Sequence, residues 1–258
     1  MQQSAQYRLE LREVGKRFGS VVALESVSFG VRPGEVVGLL GDNGAGKSTT
    51  VKIVTGYHRP SSGELYWEGR PVAIHSPEQA RAIGIQTVYQ DLALVDSLSI
   101  ARNFFLGAEP VRRWGPFHLL AIREMQQRTS LMLREIGIKD LNPATPVGAL
   151  SGGERQAVAI GRSYYFGGQL LILDEPTAAL SVKQTRKVFE LVAELKARGT
   201  SVLVIEHNMF HAHQICDRLI VIRQGRVFGD YRKEDLSVLQ LEEILAGAEL
   251  GSPAPAWS

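Results

Sequence analysis

Short apolar runs alternate with amphipathic stretches along most of this chain. The segment 182–198 has helical spacing, because Val188 and Leu195 lie on one face and Gly199 follows as a stop. Alternating strands and helices predict an α/β fold in which helices cover both sides of a mostly parallel sheet. Five runs have the character of strands buried on both faces: Val36–Leu40, Ile83–Tyr89, Leu170–Leu173, Ser201–Ile205 and Arg218–Ile222.

The N-terminal part of the chain has a different pattern. Tyr7–Val14, Val21–Val31 and Glu64–Val72 alternate apolar and polar residues, and glycines interrupt them. This alternation is typical of strands with one buried face. We therefore predict hairpins of a small antiparallel sheet beside the parallel core.

The middle of the chain is predicted to be a helical insertion, at about residues 92–165. Leu92–Gly148 contains no strong strand candidate, and Phe117–Ile136 has helical spacing. No internal repeat is visible, which favours a single domain over residues 1–250. Residues 251–258 are rich in proline and alanine and are predicted to be a flexible tail.

Composition narrows the class of protein. The 258 residues include 29 Lys and Arg against 27 Asp and Glu, a net charge of +2, which gives no electrostatic case for nucleic-acid binding. The single cysteine, Cys216, is interpreted as a small buried residue. No apolar run approaches the ~18–20 residues that span a bilayer. We therefore expect a cytosolic protein, or one attached to a membrane only through a partner.

One glycine-rich run carries the strongest chemical information. It follows a predicted strand and precedes a predicted helix, so its backbone N–H groups and the helix dipole converge on one point, which suits a triphosphate. Lys47 can reach the β- and γ-phosphates, and the Ser48 hydroxyl can ligate Mg²⁺. The run matches the pattern G-x-x-x-x-G-K-S/T and consists of Gly41, Asp42, Asn43, Gly44, Ala45, Gly46, Lys47, Ser48 and Thr49.

Two carboxylates follow the strand that begins at Leu170. Strand ends of a parallel sheet meet at the ligand-binding edge, so Asp174 is placed to hold Mg²⁺. Glu175 is then free to polarise an attacking water, and a positioned general base contributes ~10²–10⁴-fold. Without the phosphate loop, two solvated strand-end carboxylates would be the simpler interpretation.

A second helix start is also suited to an anion. Ser151 is a good N-cap residue, and Gly152 and Gly153 allow backbone N–H groups to approach a ligand closely. Glu154 opens a predicted helix that extends to Tyr164. This site lacks the lysine of the first phosphate loop.

The ordered set of motifs resembles an ATP-binding cassette (ABC) ATPase over roughly Tyr7 to Phe228. The resemblance implies a RecA-like P-loop NTPase core with an antiparallel β subdomain and a helical subdomain. The matching parts are Gly41–Thr49 (Walker A), Gln90 (Q-loop), Leu150–Gln156 (signature), Leu170–Asp174 (Walker B), Glu175 (catalytic glutamate) and His207 (switch histidine).

The resemblance also implies a mechanism. Two copies would pair head to tail, and each ATP would lie between one copy's Walker A loop and the signature residues Ser151–Glu154 of the other. Gln90 would contribute to Mg²⁺ and the attacking water, and His207 would donate to the γ-phosphate. Phe18 stands where the family places an aromatic ring that stacks on adenine.

Three positions depart from the family pattern. Glu154 replaces the usual glutamine and would place a carboxylate near the partner's ATP. Ser181 replaces an aspartate that helps to couple the two sites, so coupling is expected to be looser. Glu206 replaces a small hydroxyl residue and adds a charge beside His207.

Details of three segments resemble monosaccharide importers of the ribose, xylose and fructose group, namely residues 175–185, Val88–Leu94 and Ile205–Met209. This implies an ATPase subunit at the cytoplasmic face of the cell membrane, bound to integral-membrane permease subunits and served indirectly by a periplasmic or extracellular sugar-binding protein. Two alternatives stay open: a soluble ABC ATPase of DNA repair or translation, and a transporter ATPase for a cargo other than a sugar, including an exporter.

Overall fold

The protein is described by a computed structural model that covers residues 7–114 and 117–247. Its strands are β1 (Leu9–Phe18), β2 (Val21–Val31), β3 (Val36–Leu40), β4 (Ser62–Trp67), β5 (Arg70–Val72), β6 (Ile85–Val88), β7 (Val111–Trp114), β8 (Phe117–Leu120), β9 (Leu170–Asp174), β10 (Ser201–Ile205), β11 (Arg218–Arg223) and β12 (Arg226–Arg232). Its helices are α1 (Lys47–Val54), α2 (Pro77–Ala82), α3 (Ile100–Phe104), α4 (Ile122–Glu135), α5 (Gly152–Tyr165), α6 (Val182–Ala197), α7 (Met209–Ile215) and α8 (Val238–Leu245).

Within these residues, ten strands form one sheet in the order β5-β4-β1-β2-β12-β11-β3-β10-β9-β6. The five predicted core strands are confirmed, and they pair in parallel from β11 to β6. The predicted hairpins are also confirmed, because β1 pairs antiparallel with β2 and β4. They do not form a separate sheet, since β2 joins β12 through the pair Ser26 and Arg226.

The central strands are apolar throughout because the sheet is covered on both faces. Along β9, Ile172 belongs to the core on one side, with Ile53 of α1, whereas Leu171 belongs to the core on the other side. The second core also includes Val188 of α6 and the buried Cys216. Burial on alternate faces removes the polar positions that would otherwise mark a strand.

The described residues of the predicted helical insertion contain three α-helices. Phe104 of α3, Met125 of α4 and Val158 of α5 share a third apolar cluster. The insertion also contains β7 and β8, which pair antiparallel, so the predicted helix over Phe117–Ile136 is wrong at its beginning. Helix α4 begins only at Ile122, because the Ala121 N–H donates to the Pro110 carbonyl (2.9 Å) and ends the strand pair.

Other helix boundaries differ slightly from the sequence predictions. Helix α5 begins at Gly152, two residues before the predicted start, and α6 ends at Ala197, one residue before the end of the predicted stretch 182–198. The predicted flexible tail, residues 251–258, lies outside the described residues. None of the helices in the described part of the chain is both long and apolar enough to cross a membrane.

Candidate active site at the strand ends

The glycine-rich loop connects β3 to α1 and packs closely against β2 and β11. Gly41 has a φ of 145°, and a Cβ at this position would lie 2.1 Å from the carbonyl oxygen of Ile222. Gly46 has a φ of 116° immediately before α1, and a Cβ there would lie 2.4 Å from Leu24. Only glycine fits either position, so the loop's path is set by its contacts with β2 and β11.

Lys47 is the first residue of α1, and only 6% of it is exposed. Its ammonium donates to the carbonyl oxygens of Gly41 (2.5 Å) and Asp42 (3.0 Å). Burial lowers the pKa of Lys47, and the negative charges of Asp42, Glu175 and Asp174 act in the opposite direction. The buried ammonium therefore lies in the field of the two carboxylates at the end of β9.

Asp174 ends β9, and Glu175 follows it in a left-handed turn with a φ of 48°. The Glu175 N–H donates to the carbonyl oxygen of Ile205 (2.9 Å), which fixes the turn against β10. Burial, and next the charge of Glu175, raise the pKa of the Asp174 carboxyl, while His207 and Lys47 oppose this shift. The site therefore places the Glu175 carboxylate close enough to disfavour the charged form of Asp174.

His207 follows β10 and meets Glu175 across the sheet edge. Its Nε2 lies 2.9 Å from Oε1 of Glu175. Strands β3, β10 and β9 are neighbours in the sheet, and β10 pairs in parallel with both. The parallel arrangement therefore brings Lys47, Glu175 and His207 to one edge, as expected for strand ends of an α/β sheet.

The oxygen groups proposed for magnesium come from three elements. Ser48 is an exposed residue in the first turn of α1, and Gln90 is exposed just beyond β6, which pairs with β9. Hydroxyl, carboxylate and amide oxygens are the ligands that suit Mg²⁺, so Ser48, Asp174 and Gln90 fit the ion chemically. No group of three or more His, Cys, Asp or Glu residues in the described ranges forms a metal site, so the ion would depend on phosphate oxygens as well.

Phe18 lies at the end of β1 and is 42% exposed. The ring of His58 contacts it edge-on, with centroids 5.1 Å apart, and the ammonium of Lys16 lies 5.0 Å from its centroid. The neighbouring strand β2 reaches the phosphate loop, because a Cβ on Gly46 would meet Leu24. This placement leaves part of the Phe18 ring free for an aromatic base.

Side chains of α5 and of the residue before it cap the N-terminus of the helix. Oε2 of Glu154 accepts hydrogen bonds from the backbone N–H of Ser151 (2.9 Å) and from its hydroxyl (2.7 Å). These bonds lower the pKa of the Glu154 carboxyl. The replacement of glutamine by glutamate therefore preserves a capping box.

Within the segment 151–154, Gly153 packs against the start of α6. A Cβ on Gly153 would lie 2.9 Å from Gln184. Beside the phosphate loop lies a cavity of about 290 Å³, and residues of other segments line it: Gly41, Asp42, Asn43, His207, Met209, Glu242 and Leu245. The two anion-binding helix starts predicted from the sequence thus belong to different surroundings.

Ser181 also has a local structural role. It precedes α6, and both its N–H (2.9 Å) and its hydroxyl (3.0 Å) donate to Oε1 of Gln184. This bonding is a second capping box, which accounts for a serine at this position.

Sequence reasoning missed a buried network beside the site. Glu206 is 4% exposed and accepts a hydrogen bond from the Thr177 hydroxyl, which also lies 2.9 Å from Nδ1 of His211. The sequence marks Glu206 as unusual, but it suggests a charge acting on His207 rather than a bond to Thr177. Nothing in the sequence singles out His211.

Comparison with known proteins identifies the family. Residues 24–178 match the family model described as ABC transporter. The chain is 44% identical to the xylose/arabinose import ATP-binding protein of Sulfolobus acidocaldarius, covering 94% of this chain and 95% of the relative. It is 41% identical to the fructose import ATP-binding protein of Rhizobium meliloti, covering 93% and 94%. A solved ATP-binding cassette of an ABC transporter in its ADP conformation is similar, with a TM-score of 0.78, 26% identity and coverage of 93% and 95%. The chain therefore belongs to the ABC transporter family and is an ATP-binding cassette ATPase.

Proposed function

We propose that this protein is the ATP-hydrolysing subunit of an ABC importer for a monosaccharide. The chemical part of the proposal is carried by one observation, the 2.9 Å contact between Glu175 and His207 beside the buried Lys47. The cargo is inferred from relatives named for xylose, arabinose and fructose import, which align with nearly the whole chain.

Different residues of the site bind the phosphates, stack on adenine and activate the attacking water. Backbone N–H groups of residues 41–49 and the Lys47 ammonium bind the β- and γ-phosphates, while Phe18 stacks on adenine. Glu175 accepts a proton from the water that attacks the γ-phosphorus, and His207 orients that carboxylate and donates to a γ-phosphate oxygen.

Magnesium would be held by Ser48, Asp174 and Gln90 together with phosphate oxygens. When bound, Mg²⁺ neutralises charge on the β- and γ-phosphates. The raised pKa of Asp174 fits this role, because a carboxyl that is disfavoured as an anion in the nucleotide-free protein gains a compensating cation.

A second copy of the chain would complete each site. The helix start at Ser151–Glu154 lacks a basic residue and does not line the cavity beside its own phosphate loop. A similar cassette, with 25% identity and a TM-score of 0.70, is dimeric and bound to ADP and phosphate. These observations support a head-to-tail dimer that is closed by ATP and opened by hydrolysis.

The permease subunits would dock in a cavity of about 680 Å³ between the core and the helical insertion. Arg162 lines this cavity and forms no salt bridge with any residue that the structure describes. Burial, and next the nearby charge of Arg81, lower its pKa. Arg81 in the same groove pairs with Glu78 (2.9 Å), so Arg162 is the cation that would bind a carboxylate on an apolar cytoplasmic segment. Tyr89 and Asp91 also line the groove and flank Gln90, which connects it to the nucleotide site. Such docking would hold the protein at the cytoplasmic face of the membrane, where the permease receives sugar from a binding protein.

ATP turnover by the purified protein tests the chemistry. Glu175→Gln removes the general base and is expected to lower kcat at least ~100-fold while ATP still binds. Glu190→Gln, on the exposed surface of α6, is the matched control. In the wild type, specific activity should rise with protein concentration, because two copies build each site. Full activity of a dilute monomer would contradict the dimer, and full activity of Glu175→Gln would contradict the assigned base.

Co-purification and growth test the biological part. Arg162→Glu should lose the permease subunits while keeping ATP turnover in isolation, and Arg186→Glu on exposed α6 should keep both. Deletion of the gene should abolish growth on one of ribose, xylose, arabinose or fructose. Normal growth on all four would show that the cargo is something else, and co-purification with DNA-repair or ribosomal proteins would show a role outside transport.

A further inference from the structure

Glu206 is a buried carboxylate at the end of β10 that contacts two loops of the site. Its Oε1 accepts a hydrogen bond from the hydroxyl of Thr177, in the loop that follows Glu175. Its Oε2 accepts from the backbone N–H groups of His207 (3.1 Å) and Asn208 (3.3 Å). One side chain therefore links the segment that carries Glu175 to the segment that carries His207.

These three hydrogen bonds stabilise the buried carboxylate of Glu206. Glu206 forms no salt bridge with any residue of the described ranges, and an unpaired buried charge is costly. An ionised carboxylate can only accept, so the Thr177 hydroxyl must use its single proton on Glu206. The Thr177 oxygen then accepts from His211, 2.9 Å away, which assigns the proton of that imidazole to Nδ1.

The hydrogen bonds of Glu206 lie next to the contact between Glu175 and His207. The Glu206 carboxylate reaches the backbone of His207, whereas the imidazole of His207 extends to Glu175, with 2.9 Å between Nε2 and Oε1. Thr177 is two residues beyond Glu175, so both partners of that contact are held from the same carboxylate. A fixed loop limits the positions that the imidazole can take, and a displacement of about 1 Å can cost ~10²-fold in rate.

We propose that Glu206 is a positioning residue for ATP hydrolysis, which acts by fixing the loop of His207 against the loop of Glu175. Its carboxylate is buried and bonds to Thr177 and to two backbone N–H groups, so its effect is confined to kcat. The inference rests on the proposed function, since it assigns a role within the same reaction.

The decisive experiment is a double-mutant cycle between Glu206 and His207, measured as ATP turnover. Glu206→Ala should lower kcat about 10-fold with the KM for ATP changed less than about 2-fold, because no phosphate contact is lost. In a His207→Ala background, the same substitution should change kcat less than about 2-fold, because the contact between Glu175 and His207 that Glu206 aligns is already lost. A general structural defect would cost a similar factor in both backgrounds, and that result would overturn the proposal.

Two further variants keep the test valid if Glu206→Ala does not fold. Thr177→Val removes the bonds of Thr177 to Glu206 and to His211 but leaves the bonds from Glu206 to the His207 loop, and it should show the same dependence on His207. Glu206→Gln keeps an amide oxygen that can accept from the backbone of His207 and Asn208, so it should retain kcat within about 3-fold. A Gln variant as slow as the Ala variant would contradict the hydrogen-bond assignment. An inactive wild type would instead refute the proposed function, so the two failures are distinguishable.

Discussion

The ammonium of Lys47 donates a 2.5 Å hydrogen bond to the carbonyl oxygen of Gly41, the first residue of its own phosphate loop. The loop therefore surrounds the ammonium group that is proposed to bind the nucleotide phosphates, and burial lowers the pKa of Lys47. ATP must compete with two backbone carbonyls for this ammonium. Because phosphate oxygens carry full negative charge, the exchange favours the nucleotide.

Lys47→Met is expected to weaken ATP binding by ~10- to 100-fold, because a charge-assisted contact to the phosphates contributes about 1.5–3 kcal/mol. The stabilisation that ATP confers on the wild type in thermal unfolding should decrease correspondingly. Lys52→Met provides the control, since Lys52 lies on the exposed side of the same helix. An undiminished thermal shift in Lys47→Met would show that the loop binds phosphate through its backbone alone.

Asp174→Asn should stabilise the nucleotide-free protein while it abolishes hydrolysis. Burial and Glu175 raise the pKa of Asp174, so the folded protein binds this proton more tightly than the unfolded chain does. The stability associated with the protonated group is present below about pH 4 and is lost as pH rises through the raised pKa. The gain in Tm should therefore be largest near about pH 8 and shrink towards about pH 4. An equal gain at both pH values would contradict the assigned shift.

Gly41→Ala should disrupt the phosphate loop, because the new methyl group would lie 2.1 Å from the carbonyl oxygen of Ile222. We expect loss of ATP binding together with destabilisation of more than about 2 kcal/mol in urea unfolding. Gly167→Ala is the matched control: its φ is 84° and nothing lies within 4 Å of the added carbon. That variant should lose only the ~1–2 kcal/mol of left-handed backbone strain and should bind ATP normally. Similar behaviour of the two variants would refute the steric argument.

Glu154→Gln should increase the apparent affinity of the ATP-driven dimer. Glutamine retains the oxygen that accepts from Ser151, so the cap of α5 survives, while a negative charge beside the partner's triphosphate is removed. A charge at a helix end is worth about 0.3–1 kcal/mol, so half-maximal turnover should need about 2- to 5-fold less ATP. Glu154→Ala should instead lose about 1 kcal/mol of stability with the cap. A higher ATP requirement in Glu154→Gln would show that the carboxylate does not face the triphosphate.

Some of the fold could not be predicted because short segments are ambiguous. Residues 117–120 of β8, which are apolar except for His118, continue into the spacing of α4, so the pattern does not separate strand from helix. The side chains of Phe117, Leu119 and Leu120 are exposed on this strand, and no buried face marks it. Strand pairing with Val111–Trp114 decides the structure, and such pairing depends on contacts between segments.

Other features followed from the sequence because their causes are local. The phosphate loop needs glycines at positive φ and a lysine at the helix start, and the core strands need uninterrupted apolar runs. Each requirement is visible in a few consecutive residues. The order of the motifs along the chain then identified the family.

Only the tertiary structure decided which side chains meet. Glu175 and His207 come together because β9 and β10 are parallel neighbours, and Glu206 reaches Thr177 across 29 positions of sequence. Buried polar groups must find partners wherever the packed elements place them, and sequence spacing does not encode those positions. The roles of individual site residues could therefore be predicted from the sequence. The hydrogen bonds among those residues were determined by the packing of the sheet and of the loops at its edge.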